Sequence, residues 1–159
     1  MSINTHYMKF NGEVLERGFW LYVWEIIEGS AVHLYVGRTG DSSSAHASSP
    51  FNRIGKHLDF RANAKGNSLA KRLNEAHINP KESKFRMLAL GPFFPEQETF
   101  EAHKPYRDQM VTFEYELSRH LKKIGYSVLG KHHPGAKVKE AALNEVKSKV
   151  MVFLGSGDS

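Results

Sequence analysis

Nine consecutive residues, Phe19-Trp20-Leu21-Tyr22-Val23-Trp24-Glu25-Ile26-Ile27, contain one charge and are otherwise aromatic, β-branched or leucine. That composition predicts a well-buried strand. The run is far too short to span a bilayer. Glu28-Gly29-Ser30 is a turn signal, and Val32-His33-Leu34-Tyr35-Val36 reads as a second strand ending at Gly37. Two strands across a short Gly-containing loop make an antiparallel hairpin. Side chains alternate along a strand, so Trp20, Tyr22 and Trp24 share one face.

The rest of the chain is arranged around that hairpin. Gly40 to Pro50 is small and polar and reads as a loop. Phe51 to about Ala62 predicts a helix with Phe51, Ile54, Leu58 and Phe60 pointing inward. Asn67 or Ser68 can cap a second helix through His77, with Leu69 and Leu73 four apart. Asn79-Pro80 breaks it, and Lys84 to Leu90 alternates as a third strand. Gly91-Pro92 and Pro95 mark a loop. A long helix is expected after Lys104-Pro105, running to about Ile124, with Met110, Phe113, Leu117, Leu121 and Ile124 as its apolar set. Tyr126 to Leu129 is short and strand-like. Lys137 to Leu154 predicts a final amphipathic helix, and the Gly155 to Ser159 tail is expected to fray. This order implies one α+β domain, a small and mostly antiparallel three-stranded sheet flanked by helices. Residues 1–17 read as an N-terminal extension, 18–130 as the body, and 131–159 as an extra C-terminal helix and tail.

Composition narrows the functional classes. Lys plus Arg total 22 against 17 Asp plus Glu, a net charge of +5, with 40% hydrophobic and 25% charged residues. That is the balance of a soluble globular domain with a weak pull toward polyanions. There is no cysteine, which excludes disulfide scaffolds, thiolate nucleophiles and cysteine-ligated zinc. The N-terminus has no apolar core of a secretory signal, so a cytoplasmic protein is the default. Gly37-Arg38-Thr39-Gly40-Asp41-Ser42 lacks the Lys-Ser/Thr of a Walker loop, and Asp41 would repel phosphate. His132-His133 has no metal-ligand spacing with confirming acids. No Gly-x-Ser-x-Gly is present.

Five residues carry potential chemistry. Tyr22 and Tyr35 lie on adjacent strands of the hairpin. Arg53 and His57 are four apart and project from one helix face. Glu114 lies on the long helix beside Phe113 and Leu117. Taken singly, each has an ordinary reading: core tyrosines, a solvated pair, a surface acid with Glu116 close by.

As an ordered set they resemble the GIY-YIG nuclease superfamily, over roughly Gly18 to Leu129. Leu34-Tyr35-Val36-Gly37-Arg38-Thr39 is similar to its second signature, and Trp20-Leu21-Tyr22 to an altered first one. A register starting at Gly18 would instead put Trp20 at the first tyrosine; either choice lies on the same strand face. Arg53-Ile54-Gly55-Lys56-His57 matches the family's helix motif, and Glu114 with Leu117 its metal-binding acid, with Glu116 the other choice. Gly125-Tyr126-Ser127 puts Ser127 where the family tends to have Asn. The loop between Tyr35 and Arg53 is longer than usual.

The resemblance implies a metal-dependent endonuclease that hydrolyses phosphodiesters in DNA, with Mg²⁺ or Mn²⁺ as cofactor. Glu114 would hold the ion, and Arg53 would grip phosphate oxygens bidentately. Tyr22, Tyr35 or His57 would position or deprotonate the water, with the base left open. Arg38 either contacts phosphate or sits at the surface. Lys56, Arg61, Lys65, Lys71 and Arg72 on the first two helices, with Lys122, Lys123 and Lys131, either bind DNA backbone or form a solvated face. Specificity would come from the Ser-rich loop, the Phe93 to Lys104 insertion or the terminal helix. The partner is DNA, with RNA an alternative, no membrane is implied, and the protein is a monomer or homodimer. The competing reading is an inactive nucleic-acid-binding or interaction module on the same fold.

Overall fold

The computed structural model describes residues 1–41 and 44–157. Ser42 and Ser43 of the polar loop, and the Asp158-Ser159 end of the tail expected to fray, lie outside the described residues. Strand β1 (Gly18–Glu28) and strand β2 (Ala31–Arg38) form the hairpin, with Trp24 opposite Tyr35 and Tyr22 opposite Gly37. Gly29 closes it at φ +59, a value that favours glycine. The first nine residues of β1 are all buried. A strand covered on both faces reads as a continuous apolar run, which is what the sequence shows.

The sheet has four strands in mixed arrangement rather than the three expected. Strand β3 (Ser83–Pro95) pairs antiparallel with the free edge of β1, and β4 (Ser127–Val128) runs parallel to β2, giving the order β3-β1-β2-β4. The two-residue β4 is secured by Leu129 N–H donating to the Leu34 carbonyl at 2.7 Å. β3 also runs straight through Gly91-Pro92 and on to Pro95, where a loop was expected. As an edge strand it has a side without ladder bonds, where a proline's missing donor is tolerated. A register shift between Phe19 and Leu21 absorbs the irregularity.

The helices differ from expectation mainly at their ends. Helix α1 (Pro50–His57) stops about five residues short of Ala62. Ser49 caps it by accepting from Asn52 N–H at 3.2 Å, with Pro50 in the first turn. Phe51 and Phe60 do not point inward but are 39% and 50% exposed; the Phe51 ring lies against that of Phe10, centroids 4.8 Å apart. Helix α2 (Ser68–Glu75) ends before His77, and the Asn67 side chain makes no cap bond. Helix α3 (Phe100–Lys123) starts earlier than expected, capped by Thr99, so Pro105 falls inside it. The carbonyl that Pro105 cannot serve belongs to Glu101, an exposed residue in the first turn, where the loss is small. Ile124 is the exposed cap of α3 and not part of the core. Helix α4 (Glu140–Gly155) is the last.

These helices cover both sides of the sheet. Phe19, Leu21, Val23, Leu34 and Val36 pack against Met110, Phe113, Leu117 and Leu121 of α3 and Leu143, Val146 and Val150 of α4. On the other side Tyr22, Trp24, Ile26 and Tyr35 pack against Leu69 and Leu73 of α2, with Ile54, Leu58 and Ile78 beside them. The C-terminal helix therefore belongs to the same core as the hairpin. Glu25 is the one acid buried in β1, and Arg86 lies directly opposite it on β3. Arg86 donates Nε to Glu25 at 2.9 Å and spends its other nitrogens on the Phe153 and Ser156 carbonyls, with its guanidinium 4.2 Å above the Phe153 ring. No helix among the described residues is long and apolar enough to cross a membrane.

Candidate active site

The site forms where β2 ends, and Gly37 shapes it. Because Tyr22 and Gly37 are paired across the hairpin, the Tyr22 phenol lies over the glycine. A Cβ at residue 37 would stand 2.7 Å from the Tyr22 hydroxyl. That hydroxyl is 3.3 Å from the Arg38 carbonyl and 3.3 Å from His57 Nε2. A carbonyl only accepts, so when Tyr22 donates to Arg38, His57 must carry its proton on Nε2. His57 Nδ1, which has no partner, is then a bare lone pair rather than an unmet N–H.

Burial sets the protonation of these groups. Tyr22 is almost wholly buried, and desolvation pushes its pKa well above the ordinary phenol value, with Tyr35 adding to the rise and Arg53 and Arg38 opposing it. Tyr35 is raised by the same desolvation, moderated by a hydrogen bond with Ser68 and by Arg72, Arg53 and Arg38. His57 is lowered to about 4 by burial and then by the Arg53 charge. At neutral pH all three are uncharged. The neighbouring arginines carry the charge.

Arg38 and Arg53 converge from β2 and α1. Arg38 is ion-paired with Glu114 of α3, and Arg53 with Asp41 of the loop after β2. Both guanidinium side chains are largely buried, and the Nε of each has no partner. Desolvation, Arg53 and Arg107 all lower the Arg38 pKa. Like charges held together out of water favour an anion between them, and planar forks with unused N–H groups suit phosphate oxygens. Thr39 fixes the start of the Asp41 loop. Its hydroxyl accepts from Trp20 N–H at 2.8 Å and donates to the Gly18 carbonyl at 2.5 Å. Beyond it Gly40, at φ +75, lies against the Phe19 ring, and its carbonyl accepts from His103 Nε2 at 2.9 Å.

Of the residues named from sequence, Tyr22, Tyr35, Arg38, Arg53, His57 and Glu114 come together here. Tyr22 lies in the cluster beside His57, whereas Trp20 lies away from it, its indole N–H donating to the Glu16 carbonyl at 3.0 Å. Glu114 faces Arg38, whereas Glu116 pairs with Arg119 at 2.6 Å. Ser127 pairs with His33 at 2.9 Å and does not reach the site. Arg61 and Arg72 are partly neutralised by Asp59 and Glu75, while Lys56 and Lys71 are exposed on the helices.

Two residues missed in the sequence belong to the cluster. His132 Nε2 lies 3.1 Å from the Val36 carbonyl and 3.8 Å from Glu114. Burial lowers its pKa, and the Val36 carbonyl partly opposes that. It lies in irregular chain after β4, where no periodicity points to it. Asp41, read from sequence only as a repeller of phosphate, instead occupies Arg53.

Among the described residues no group of three histidines or acids is placed to hold a metal. The donor set does fit a hard divalent ion that keeps its waters and takes one carboxylate, Glu114, beside a phosphate. No model of a known protein family, no curated protein and no solved structure matches the chain.

Proposed function

We propose that the chain is a metal-dependent endonuclease of the GIY-YIG type that hydrolyses phosphodiester bonds in DNA. One observation carries the reading. Tyr22, Tyr35, Arg38, Arg53, His57 and Glu114, drawn from two strands and two helices, meet at one end of the β1–β2 hairpin.

In this reading Arg53 exchanges Asp41 for the scissile phosphate, and Arg38 exchanges Glu114 for a neighbouring oxygen. Their forks offset the charge that grows on phosphorus-bound oxygens in the transition state. Glu114, once released, is the carboxylate for Mg²⁺ or Mn²⁺. When bound there, such an ion would supply Lewis acidity and a water of lowered pKa. Tyr22 stays protonated, so it positions by hydrogen bonding. Tyr35, less buried, is the tyrosine that can hydrogen-bond to substrate or water. His57 is neutral and holds the Tyr22 hydroxyl in place.

A second reading is favoured by the ion pairs themselves. Glu114 and Arg53 are both occupied by partners from within the chain, as suits a module that binds nucleic acid without cutting it.

Plasmid nicking with Mg²⁺ or Mn²⁺, with and without chelator, separates the two. The nuclease nicks only with metal, and folded Arg53→Ala and Glu114→Ala variants lose on the order of 100-fold or more. Salt-sensitive binding without any nicking supports the binding module. Full activity in Glu114→Ala would sink the assignment of that acid.

A further inference from the structure

A second pocket lies on the outer side of α2, lined by Phe60, Asn67, Ala70, Lys71 and Asn74, with a volume of about 280 Å³. That is just under the range of about 300–1,000 Å³ that takes drug-sized ligands, so it suits a single ring system. Its wall chemistry is unusual for a helical surface. Phe60 leaves half its surface exposed, whereas Leu58 before it is partly buried against the core. Asn67 is 8% exposed and stands at the helix N-cap, yet makes no cap bond. Its Nδ2 donates to the Asp59 carbonyl at 2.9 Å, which fixes the amide orientation and leaves Oδ1 buried without any partner. Lys71 and Asn74 are exposed at the rim.

An exposed aromatic face, an unmet amide acceptor, a second amide and a cation are the groups that recognise a nucleobase and its phosphate. Helical spacing relates this pocket to the site at β2. Ser68 and Arg72, four apart, face Tyr35, while Asn67, Lys71 and Asn74 run along the adjacent stripe. The two lie on neighbouring sides of a cylinder about 10–12 Å across.

We propose that this pocket captures one unstacked nucleobase of the bound nucleic acid, stacked on Phe60, with an exocyclic amino group donating to Asn67 Oδ1 and Lys71 on the flanking phosphate. The inference rests on the nucleic-acid reading above and adds to it a preference for strands with an unpaired base. Amino-bearing bases are favoured over thymine, because only they supply the donor in that position.

The test measures binding rather than cleavage. A short DNA duplex carrying one unpaired fluorescent adenine analogue is compared with the fully paired duplex, using the full chain in chelator. The unpaired form is expected to bind roughly 5- to 100-fold more tightly, with a fluorescence change on binding. Phe60→Ala, at an exposed position that leaves the core intact, removes both effects, and Phe60→Trp restores them. Competition by deoxyadenosine monophosphate alone shows that the base suffices; failure to compete shows that the chain of phosphates is also needed. Equal binding of the two duplexes, or an unchanged Phe60→Ala variant, overturns the pocket. The same preparations are scored for nicking. Base capture without nicking leaves the pocket standing and removes the nuclease, and nicking without base discrimination does the reverse.

Discussion

Arg38 is the residue on which the candidate site turns, because it holds Glu114, the acid that reaches it from α3. Replacing it with Gln frees Glu114 while keeping a polar side chain of similar length. Mn²⁺ affinity, read by titration calorimetry, is expected to rise about tenfold, since the ion no longer displaces a charged partner. DNA affinity, read by anisotropy, is expected to fall. Unchanged Mn²⁺ binding would mean that the ion does not bind at Glu114. His57 makes a separate prediction. Its pKa is about 4 in the fold, lowered by burial and by Arg53, against an ordinary value of 6.5. Between those values the unfolded chain binds more protons, so stability rises with pH across that window and is lost as pH falls through it. The full span is worth up to ~3 kcal/mol. Denaturant midpoints at neutral pH and near pH 4 should show the loss, and His57→Gln should flatten it. A midpoint in wild type that ignores pH in this range contradicts a buried neutral imidazole.

At the scale of elements, the hairpin depends on Gly37 because Tyr22 fills the space where a side chain would go. Gly37→Ala is expected to displace the Tyr22 ring, break its contact with His57 and cost ~1–3 kcal/mol, measurable as a lower unfolding midpoint. An unperturbed midpoint with an intact Tyr22 environment would show that the ring has room. The α3 core set Met110, Phe113, Leu117 and Leu121 and the Leu69–Leu73 pair were legible in the sequence because they keep helical spacing, and the hairpin because β1 is one apolar run closed by a glycine turn. What was not legible depended on partners. Pro92 reads as a break, and nothing local reveals that its strand has an open edge. Phe51 and Phe60 fit an inward helical stripe, but Phe51 sits in the first turn of α1 beside Phe10 at the surface, and Phe60 lies beyond the helix's end. Pro105 reads as an early helix position until Thr99 supplies an earlier cap. The site was legible as residue types in order. Its ion pairs were not, since Asp41 and His132 reach it from irregular chain.

The molecule as a whole carries +5, and the side chains available for phosphate are fewer than a count of cations suggests. Arg61 and Arg72 are held by carboxylates on the surface, Lys56 and Lys71 are exposed, and Arg38 and Arg53 count only because the proposed reading has them exchange Glu114 and Asp41 for phosphate. Four phosphate contacts predict a log–log slope of binding against salt of about −3 to −4 on duplex DNA. Lys56→Ala and Lys71→Ala should each reduce that slope by about 1, and a slope near zero would rule out backbone binding by this face. On the proposed nuclease reading, one site per chain would give single-strand nicks at low protein concentration, with double-strand breaks needing two copies or two visits.

The Arg86 clamp has a consequence for how the protein is made. Glu25 leaves the ribosome before Arg86, and the carbonyls of Phe153 and Ser156 that hold Arg86 in place follow it by 67 and 70 residues. Until then the acid in the central strand has a counterion that nothing orients, and a buried carboxylate in that state is costly. The sheet can begin to pair during synthesis, yet its most buried charge is settled only when the final turn of α4 has emerged. The central strand's charge is therefore settled when α4 docks, later than the pairing of the strands around it.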